Sequence, residues 1–158
     1  MEKSILYKIL SKIPYGLYIV GAKADGGLAA IIANWIGQVS FEPPLISISI
    51  EHDSDMKRHI EEAKYFSINM LRTGSTQTAK AFLKKSKPIP ASINGKGITL
   101  GKHGSPFLND AIASLECKVV NCIRAGDHVM FIGEVTDGSV HSEEEILTLK
   151  ETGWKYNR

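Results

Sequence analysis

The sequence predicts a mainly β protein with a few helices, in which antiparallel strands form a barrel. About seven segments of the chain alternate apolar and polar residues or are rich in β-branched residues, which is typical of strands. Most of them are joined by short turns instead of long crossover helices, which favours antiparallel pairing over a doubly wound sheet. With 158 residues, 43% of them hydrophobic, the chain is long enough to bury one core. We therefore predict a single domain over residues 1–158.

The first predicted elements are a helix and a hairpin. Apolar residues at helical spacing indicate a helix over residues 5–13, which ends before Pro14. Residues 16–23 are typical of a strand, and the glycines of the turn at residues 25–27 allow the positive φ angles of a hairpin. Residues 28–40 then return as one long strand that pairs with the first.

Two prolines divide the next part of the chain. Pro43 and Pro44 lack backbone donors and fix φ, so the long strand ends there and a new strand covers residues 45–51. Asp53 and Ser54 are both good N-caps for the helix that follows. The remaining predicted elements are the helix to residue 63, a strand over 65–71, a helix over 76–85, a long irregular loop over 91–106, and strands over 113–123, 128–136 and 146–150.

The formal charge of +2 is distributed unevenly along the chain. No aspartate or glutamate occurs between Ala63 and Asn109, whereas eight lysine and arginine residues do. This segment either forms an anion-attracting surface or is a solvated face that acids balance elsewhere in the fold. It lacks the repeated aromatic residues that stack on bases, so we expect no nucleic-acid partner.

Targeting signals and metal motifs are not recognisable in the sequence. The N-terminus lacks a signal-peptide layout and no run approaches the roughly 18 apolar residues of a membrane span, so we expect a cytoplasmic protein with no membrane partner. Cys117 and Cys122 are interpreted as reduced thiols, because residues five apart on one strand face opposite sides. The five histidines show no zinc-type spacing, so no metal site is expected.

Two common catalytic motifs do not fit this chain. Gly95, Gly97 and Gly101 fail the dinucleotide fingerprint, because the third glycine is one position late and no predicted strand leads into them. No Gly-x-Ser-x-Gly elbow occurs. The sequence therefore supports neither that phosphate loop nor a hydrolase.

A polar face is predicted on the segment that begins at Asn34. If residues 34–41 are extended, Asn34, Gln38 and Ser40 share one side, and Trp35 and Val39 lie on the other. The polar side is suited to hydrogen-bond a flat ligand. On the strand over residues 45–51, the corresponding polar residues are Ser47, Ser49 and Glu51.

The helix start at Ser54 has two interpretations. Free backbone N–H groups and the positive end of the helix dipole can hold a phosphate, with charge added by Lys57 or Arg58. The alternative is ordinary helix capping. Because this helix start directly follows a polar strand, the two together would suit one mononucleotide, and flavin mononucleotide (FMN) has that shape.

His128 also has two interpretations. It follows Asp127 in a turn before an apolar strand. Its imidazole either reaches the mouth of a pocket or caps the turn, and the sequence alone does not separate these roles.

Four segments of the chain resemble the flavin reductase-like family, the FMN-binding split barrels that include flavin reductases and flavoredoxin-type proteins. They are Ile13-Pro14-Tyr15-Gly16 with the residues up to 21, Ala33-Asn34-Trp35-Ile36-Gly37-Gln38-Val39-Ser40 with its Pro43-Pro44 corner, Ala125-Gly126-Asp127-His128 with Gly133-Glu134-Val135, and Thr152-Gly153-Trp154-Lys155-Tyr156. The resemblance implies a split β-barrel with Greek-key antiparallel topology, a homodimer, and FMN at the barrel edge near the subunit interface. It also implies that the strand over residues 33–40 lies along the flavin ring and that residues 51–57 receive the phosphate end.

The candidate site residues combine the residue analysis with this resemblance. The resemblance places His128, the candidate catalytic residue, near the electron-donor side, and implies that Trp154 covers the flavin or contacts the partner subunit. The candidate FMN-binding residues are Ala33, Asn34, Trp35, Ile36, Gln38, Val39, Ser40, Ser49, Glu51, Ser54, Lys57 and Trp154.

The chain departs from the family pattern at three positions. Ile32, Gly37 and Met56 stand where relatives often have threonine. Each lost hydrogen bond is worth about 0.5–1.5 kcal/mol, so the absent hydroxyls predict weaker retention of FMN unless other contacts compensate.

Three functional hypotheses follow. The first is an FMN-binding oxidoreductase that passes electrons from NADH or NADPH to flavin, with the chemistry residing in the flavin. The second is a flavoredoxin-type FMN electron-transfer protein without independent NAD(P)H activity, and the third is a binding module that has lost flavin. The expected partners are a second copy of the chain and either a nicotinamide nucleotide or an acidic redox protein, which the acid-free segment would attract.

Overall fold

The computed structural model describes residues 1–155, so Tyr156 of the last family segment lies outside the described residues. The described strands are β1 (Tyr18–Ala24), β2 (Gly27–Ala33), β3 (Ile36–Ser40), β4 (Leu45–Glu51), β5 (Tyr65–Met70), β6 (Pro88–Ile89), β7 (Ser92–Ile93), β8 (Lys96–Leu100), β9 (Pro106–Leu108), β10 (Ala113–Ala125) and β11 (His128–Val140). The helices are α1 (Lys3–Leu10), α2 (Asp55–Ala63), α3 (Thr76–Ala81) and α4 (Leu149–Thr152). None of the helices in this part of the chain is both long and apolar enough to span a bilayer.

Seven of the strands form one antiparallel sheet in the order β2-β1-β5-β10-β11-β4-β3. The other four strands form a small second sheet in the order β6-β7-β8-β9. All described pairings are antiparallel, including the long hairpin of β10 and β11. The predicted fold class, mainly β with a few helices and antiparallel strands, is confirmed.

The large sheet closes into a barrel because its two edges are joined by a short link. β2 and β3 are opposite edges of the sheet, yet only Asn34 and Trp35 separate them along the chain. Three Cα–Cα steps span at most about 11 Å, so the two edges approach each other at this link. The backbone N–H of Ser49 in β4 donates to the Trp35 carbonyl at 3.0 Å, which holds the link near the far edge.

The prediction of one long strand over residues 28–40 is therefore wrong. The chain pairs with β1 up to Ala33 and with β4 from Ile36 onward. The alternation of side chains is interrupted where the chain changes partner. Asn34 consequently does not share a continuous strand face with Gln38 and Ser40.

Alternate residues of β1 supply two apolar cores. Val20 and Ala22 belong to a core formed with residues of β4, α2, β5 and β11, whereas Ile19 belongs to a second core. The second core lies among β2, α3 and the small sheet, and includes the buried Phe82. This arrangement follows from the period of two along a strand, and it fixes the small sheet and the α3 region against the barrel.

The segment over residues 91–106, predicted as an irregular loop, is mostly the small second sheet. Ser92 pairs with Gly97 and Ile93 with Lys96, so Asn94 and Gly95 form a two-residue hairpin turn. Both turn residues have positive φ, 53° and 76°. An Asn-Gly pair is a strong hairpin signal, so this turn is predictable from the sequence.

Other boundaries also differ from prediction, and three of these differences lie outside the barrel. α1 ends at Leu10 and α3 at Ala81, each earlier than predicted. The predicted strand over residues 146–150 is reduced to isolated bridges at Ile146 and Thr148, and the Thr148 side chain then caps α4. These segments lie outside the barrel, where short contacts with neighbours decide where an element ends.

Both cysteines are free, as predicted, and both lie on β10. Cys117 is buried and Cys122 is exposed. Burial, together with the neighbouring Glu116 carboxylate, raises the pKa of the Cys117 thiol to about 12. We therefore assign Cys117 to packing and not to redox chemistry.

Candidate functional site

A cavity of about 1170 Å³ lies at the seam where β2 approaches the far edge of the barrel. Its walls come from β2, the end of β4, the start of α2, the turn before β11, and the connector between α3 and β6. α1 adds Tyr7 and Leu10, and the C-terminal segment adds Leu149 and Lys155. This seam cavity exists because β2 and β3, the two edge strands, are not paired by hydrogen bonds where the barrel closes.

The floor of the seam cavity is apolar. It follows β2 from Leu28 to Ala33 and includes Ile31 and Ile32. Ile32 stands at one of the positions where relatives often have threonine, so the floor offers an aliphatic surface there instead of a hydroxyl. Such a surface is suited to the face of a flat ring.

One wall of the seam cavity is formed by two rings in tilted contact, Trp35 and His128, which we call the aromatic wall. The ring centroids are 4.6 Å apart and the planes are inclined by 48°. His128 Nδ1 lies 2.6 Å from the Asp127 carboxylate, and the His128 side chain is 16% exposed. Because the carboxylate accepts from an Nδ1–H, this contact favours the tautomer with an unprotonated Nε2 when the imidazole is neutral.

The helix start at Ser54 is capped in the ordinary way. The Ser54 hydroxyl donates to the Glu51 carbonyl at 2.8 Å and accepts from the Lys57 backbone N–H at 3.2 Å. Glu51, Ser54 and Asp55 nevertheless line the seam cavity. Ser54 therefore acts as an ordinary N-cap, and the start of α2 also lies at the cavity.

Three of the four lysine and arginine residues that line the seam cavity form what we call the cationic rim: Arg58, Lys84 and Lys85. Arg58 pairs with Glu62 at 3.0 Å, and Lys85 Nζ lies 3.7 Å from Asp55, in contacts that are largely exposed. Exposed pairs of this kind are weak, so the side chains can exchange them for an anionic ligand.

The cationic rim was only partly anticipated. Arg58 was named as an alternative to Lys57, whereas Lys84 and Lys85 were part of the acid-free segment without an assigned place. They reach the cavity because the connector is fixed to β2: the Ser86 hydroxyl donates to the Ala30 carbonyl and accepts from the Ala30 N–H, both at 2.8 Å. The charge pattern was the available sequence signal, and tertiary structure supplies the position.

Seven of the predicted site residues line the seam cavity. They are Ala33, Asn34, Trp35, Ser49, Glu51, Ser54 and His128. Their contribution to binding is addressed below as a proposal.

Six predicted site residues do not line the seam cavity. They are Ile36, Gln38, Val39, Ser40, Lys57 and Trp154. The first four belong to β3, on the far side of the link. The Gln38 side chain donates to the Ser40 carbonyl at 3.2 Å. Lys57 pairs with Glu61 at 3.0 Å, and Trp154 packs against the second core.

Of the other two positions that depart from the family pattern, one lies at the cavity. Met56 lines the cavity although only 1% of it is exposed. Gly37 lies in β3, outside the lining. Residues 1–155 contain no group of three or more His, Cys, Asp or Glu side chains placed to hold a metal ion.

The seam cavity as a whole can bind a flat apolar ring that carries an anionic tail. The aliphatic floor and the aromatic wall match the ring, and the cationic rim matches the tail. Asn34 and Ser49 supply polar groups beside the link.

Comparison with known proteins gives a family for this arrangement. The family model for the flavin reductase like domain matches residues 10–156. Among solved structures, flavin reductase PheA2 in its native state superposes with a TM-score of 0.81 at 28% identity, covering 94% of this chain and 93% of that chain.

Two curated relatives illustrate different chain lengths. A ferric-chelate reductase (NAD(P)H) of Archaeoglobus fulgidus is 31% identical over 143 residues, which are 87% of this chain and 82% of that protein. Diflavin flavoprotein A 1 of Synechocystis sp. is 33% identical over 147 residues, which are 92% of this chain but 26% of that protein. The chain thus spans about a quarter of the length of the first curated relatives it matches.

Proposed function

Because the chain belongs to the flavin reductase-like family, we propose that it binds FMN in the seam cavity and passes electrons from a reduced nicotinamide nucleotide to flavin. The combination of an apolar floor, an aromatic wall and a cationic rim in one cavity carries this proposal. Its volume of about 1170 Å³ exceeds the roughly 300–1,000 Å³ of ordinary ligand pockets, which leaves space for a ring and a second planar group.

The residues present fit FMN at both of its ends. The isoalloxazine ring would lie on Ile31–Ala33, beside Asn34 and the aromatic wall. The phosphate would lie toward the cationic rim, where Lys85 lies 3.7 Å from Asp55 at the start of α2. Because the Ser54 hydroxyl is used in capping, charge from lysine and arginine would take the place of hydroxyl contacts at this end.

The bound flavin would supply the redox chemistry by accepting a hydride from the nicotinamide. The protein orients the partners and excludes water from the floor of the cavity. His128, held through Nδ1 by Asp127, would present its other ring nitrogen toward the nicotinamide side. The backbone N–H of His52 donates to the Asp127 carbonyl at 3.0 Å, which steadies the turn that carries both residues.

A matched pair of variants tests the flavin site. Asn34→Ala removes a polar group of the cavity, whereas Gln38→Ala removes an amide from β3 outside it. We expect Asn34→Ala to raise the Kd for FMN by roughly 2- to 12-fold, the value of one hydrogen bond, and Gln38→Ala to leave it unchanged. Fluorescence titration of the flavin-free protein with FMN, FAD and riboflavin measures both. Equal effects of the two variants would contradict the site.

Steady-state oxidation of NADH or NADPH with added FMN tests the reductase activity. The name of the Archaeoglobus relative includes NAD(P)H, which supports a nicotinamide donor here. Turnover with neither nucleotide would leave the alternative, a flavoredoxin-type electron-transfer protein. The short span of this chain within diflavin flavoproteins favours keeping that alternative, because there the matching region is one part of a longer protein.

We also propose that the protein forms a homodimer. Phe41, in the turn after β3, is 87% exposed, and Val39 is 54% exposed. On β10, Val120 and Ile123 are also exposed, at 48% and 46%. Exposed aromatic and aliphatic side chains of this size are typical of protein interfaces. Sedimentation equilibrium of the wild type and of Phe41→Ser tests this, and a wild-type monomer at micromolar concentration would refute it.

A further inference from the structure

We propose that the connector between α3 and β6 is the docking surface for a small acidic redox protein that exchanges electrons with the flavin of the seam cavity. This inference rests on the proposed function and names a partner for the same site. The surface, which we call the connector patch, consists of Lys80, Leu83, Lys84, Lys85, Lys87 and Ile89.

The connector patch carries four positive charges and no acidic residue. All four lysines are exposed. Within residues 1–155 they form one ion pair, between Lys85 and Asp55 at 3.7 Å, and both of those side chains are largely exposed. The patch therefore presents nearly uncompensated charge, which attracts an acidic surface and accelerates its association.

The connector patch also has an apolar part. Leu83 is 60% exposed and Ile89 is 63% exposed. A free nucleotide has no aliphatic surface to match these side chains, whereas a protein partner does. Exposed aliphatic side chains among lysines are what a transient, charge-steered protein complex requires.

The backbone of the connector patch is held in place on the barrel. Asn94 donates to the Ala81 carbonyl at 2.8 Å and accepts from the Lys87 N–H at 2.7 Å, so one side chain joins both ends of the connector. Ser86 fixes the middle to β2 through Ala30, and Phe82 is buried in the second core. A preorganised surface loses little entropy when a partner binds.

The connector patch is continuous with the seam cavity. Leu83, Lys84 and Lys85 line the cavity, whereas Lys80, Lys87 and Ile89 do not. A protein seated on the patch would therefore approach the mouth of the site that holds the flavin. Two molecules of a one-electron carrier would each be reduced by one electron, the two-electron-reduced flavin would be oxidised, and its protons would pass to water.

The test uses Lys80→Glu with Lys87→Glu, because neither residue lines the cavity. The probe is an acidic plant-type [2Fe–2S] ferredoxin. Its Kd for the FMN-loaded and for the flavin-free protein is measured at low and at physiological ionic strength. We expect the double variant to weaken binding at least about tenfold at low salt and to lose most of the salt dependence.

Two further variants separate charge, shape and general effects. Lys118→Glu with Lys150→Glu makes the same change of charge at exposed lysines elsewhere and should leave the Kd unchanged. Ile89→Ser should weaken binding roughly threefold or more at both ionic strengths, because burial of an aliphatic side chain is not screened by salt. The rate at which reduced ferredoxin passes electrons to the oxidised bound flavin, which is the downhill direction for a carrier of such low reduction potential, should fall in parallel. Oxidation of the photoreduced flavin by a neutral quinone should stay constant.

Three results would overturn the proposal that the connector patch binds an acidic redox protein. The first is an equal loss in the Lys118 and Lys150 variant, and the second is a wild-type affinity that does not depend on salt. The third is an unchanged ferredoxin Kd with a raised KM for NADPH, which would assign the lysines to the nucleotide. Failure of the proposed function looks different, because a protein that binds no FMN still gives a ferredoxin Kd for the patch.

Discussion

The aromatic wall and the cationic rim lie in one cavity but have different structural origins. The wall belongs to the barrel: Trp35 is held by a backbone hydrogen bond from β4, and His128 begins β11. The rim belongs to elements outside the barrel, with Arg58 on α2 and two lysines on the connector. The wall offers planar rings that have few rotatable bonds, whereas the rim offers long, flexible side chains, two of which form weak, exposed ion pairs.

This difference separates recognition of shape from recognition of charge. Contacts with the floor and the wall depend on area and fit, so their strength changes little with salt. Contacts with the rim are screened over about 8–10 Å at physiological ionic strength. A ligand with a ring but no phosphate therefore reports on the wall, and the salt dependence of FMN binding reports on the rim.

The largest effect is expected from filling the floor. Ala33→Phe places a ring where the flavin would lie, and overpacking of about 1–3 kcal/mol corresponds to a loss of roughly 5- to 150-fold in affinity. FMN and riboflavin should be affected equally and at every salt concentration. Fluorescence titration measures both Kd values, and Ala33→Ser is the control with a small side chain. An unchanged Kd for riboflavin would show that the flavin ring does not lie on the floor.

A smaller and selective effect is expected from the cationic rim. Lys84→Gln with Lys85→Gln removes two exposed charges, each worth about 0.2–1 kcal/mol, so the Kd for FMN should rise by roughly 2- to 30-fold. Riboflavin binding should not change, because riboflavin has no phosphate. The loss should shrink at high salt. If riboflavin weakens as much as FMN, the rim does not recognise the phosphate.

The third effect concerns His128 of the aromatic wall. His128→Asn keeps a polar side chain in the turn but removes the imidazole of the aromatic wall. We expect kcat/KM for the nicotinamide nucleotide to fall by roughly 2- to 12-fold, the range of one hydrogen bond, with the Kd for FMN nearly constant. A change confined to the Kd for FMN would show that His128 contributes to flavin binding and not to the nicotinamide side.

The elements that sequence reasoning predicted well are those with local causes. The strand over Leu45–Glu51 has the predicted bounds, since two prolines precede it and apolar residues alternate along it. The Ser54 cap of α2 also follows from local chemistry, because a hydroxyl at that position satisfies a free N–H. The seven candidate residues at the cavity cluster around these two features and the link.

The errors arose where a partner from elsewhere in the fold decides the structure. Residues 28–40 look like one strand, but Ala33 pairs with Tyr18 and Ile36 pairs with Ile48, on opposite edges of the sheet. The same holds for the cationic rim, whose lysines reach the cavity only through the contact of Ser86 with β2. The second sheet is different, because Asn94-Gly95 was a local signal that was overlooked.

The smallest effect concerns the C-terminal segment that brings Leu149 and Lys155 to the cavity. The Glu151 carboxylate accepts from the Thr73 hydroxyl at 2.7 Å and from the Gly74 N–H at 2.6 Å. These hydrogen bonds favour the ionised form and hold the pKa of Glu151 below its usual value. The carboxylate therefore stabilises the fold above the ordinary glutamate pKa, and this contribution is lost as the pH falls through the lowered native pKa.

Glu151→Gln should be slightly less stable than the wild type at pH 7, and the difference should disappear as the pH falls through the lowered native pKa of Glu151, because the wild-type carboxyl is then protonated. Urea unfolding at several pH values measures this difference. Glu143→Gln, at an exposed glutamate without a hydrogen bond in the described part of the chain, is the control. Because Glu151 is fully exposed, we expect the change to be small compared with those of the floor and the rim. A difference that grows as the pH falls would have the wrong sign for a carboxylate stabilised by these donors, and the attachment of α4 would then need another cause.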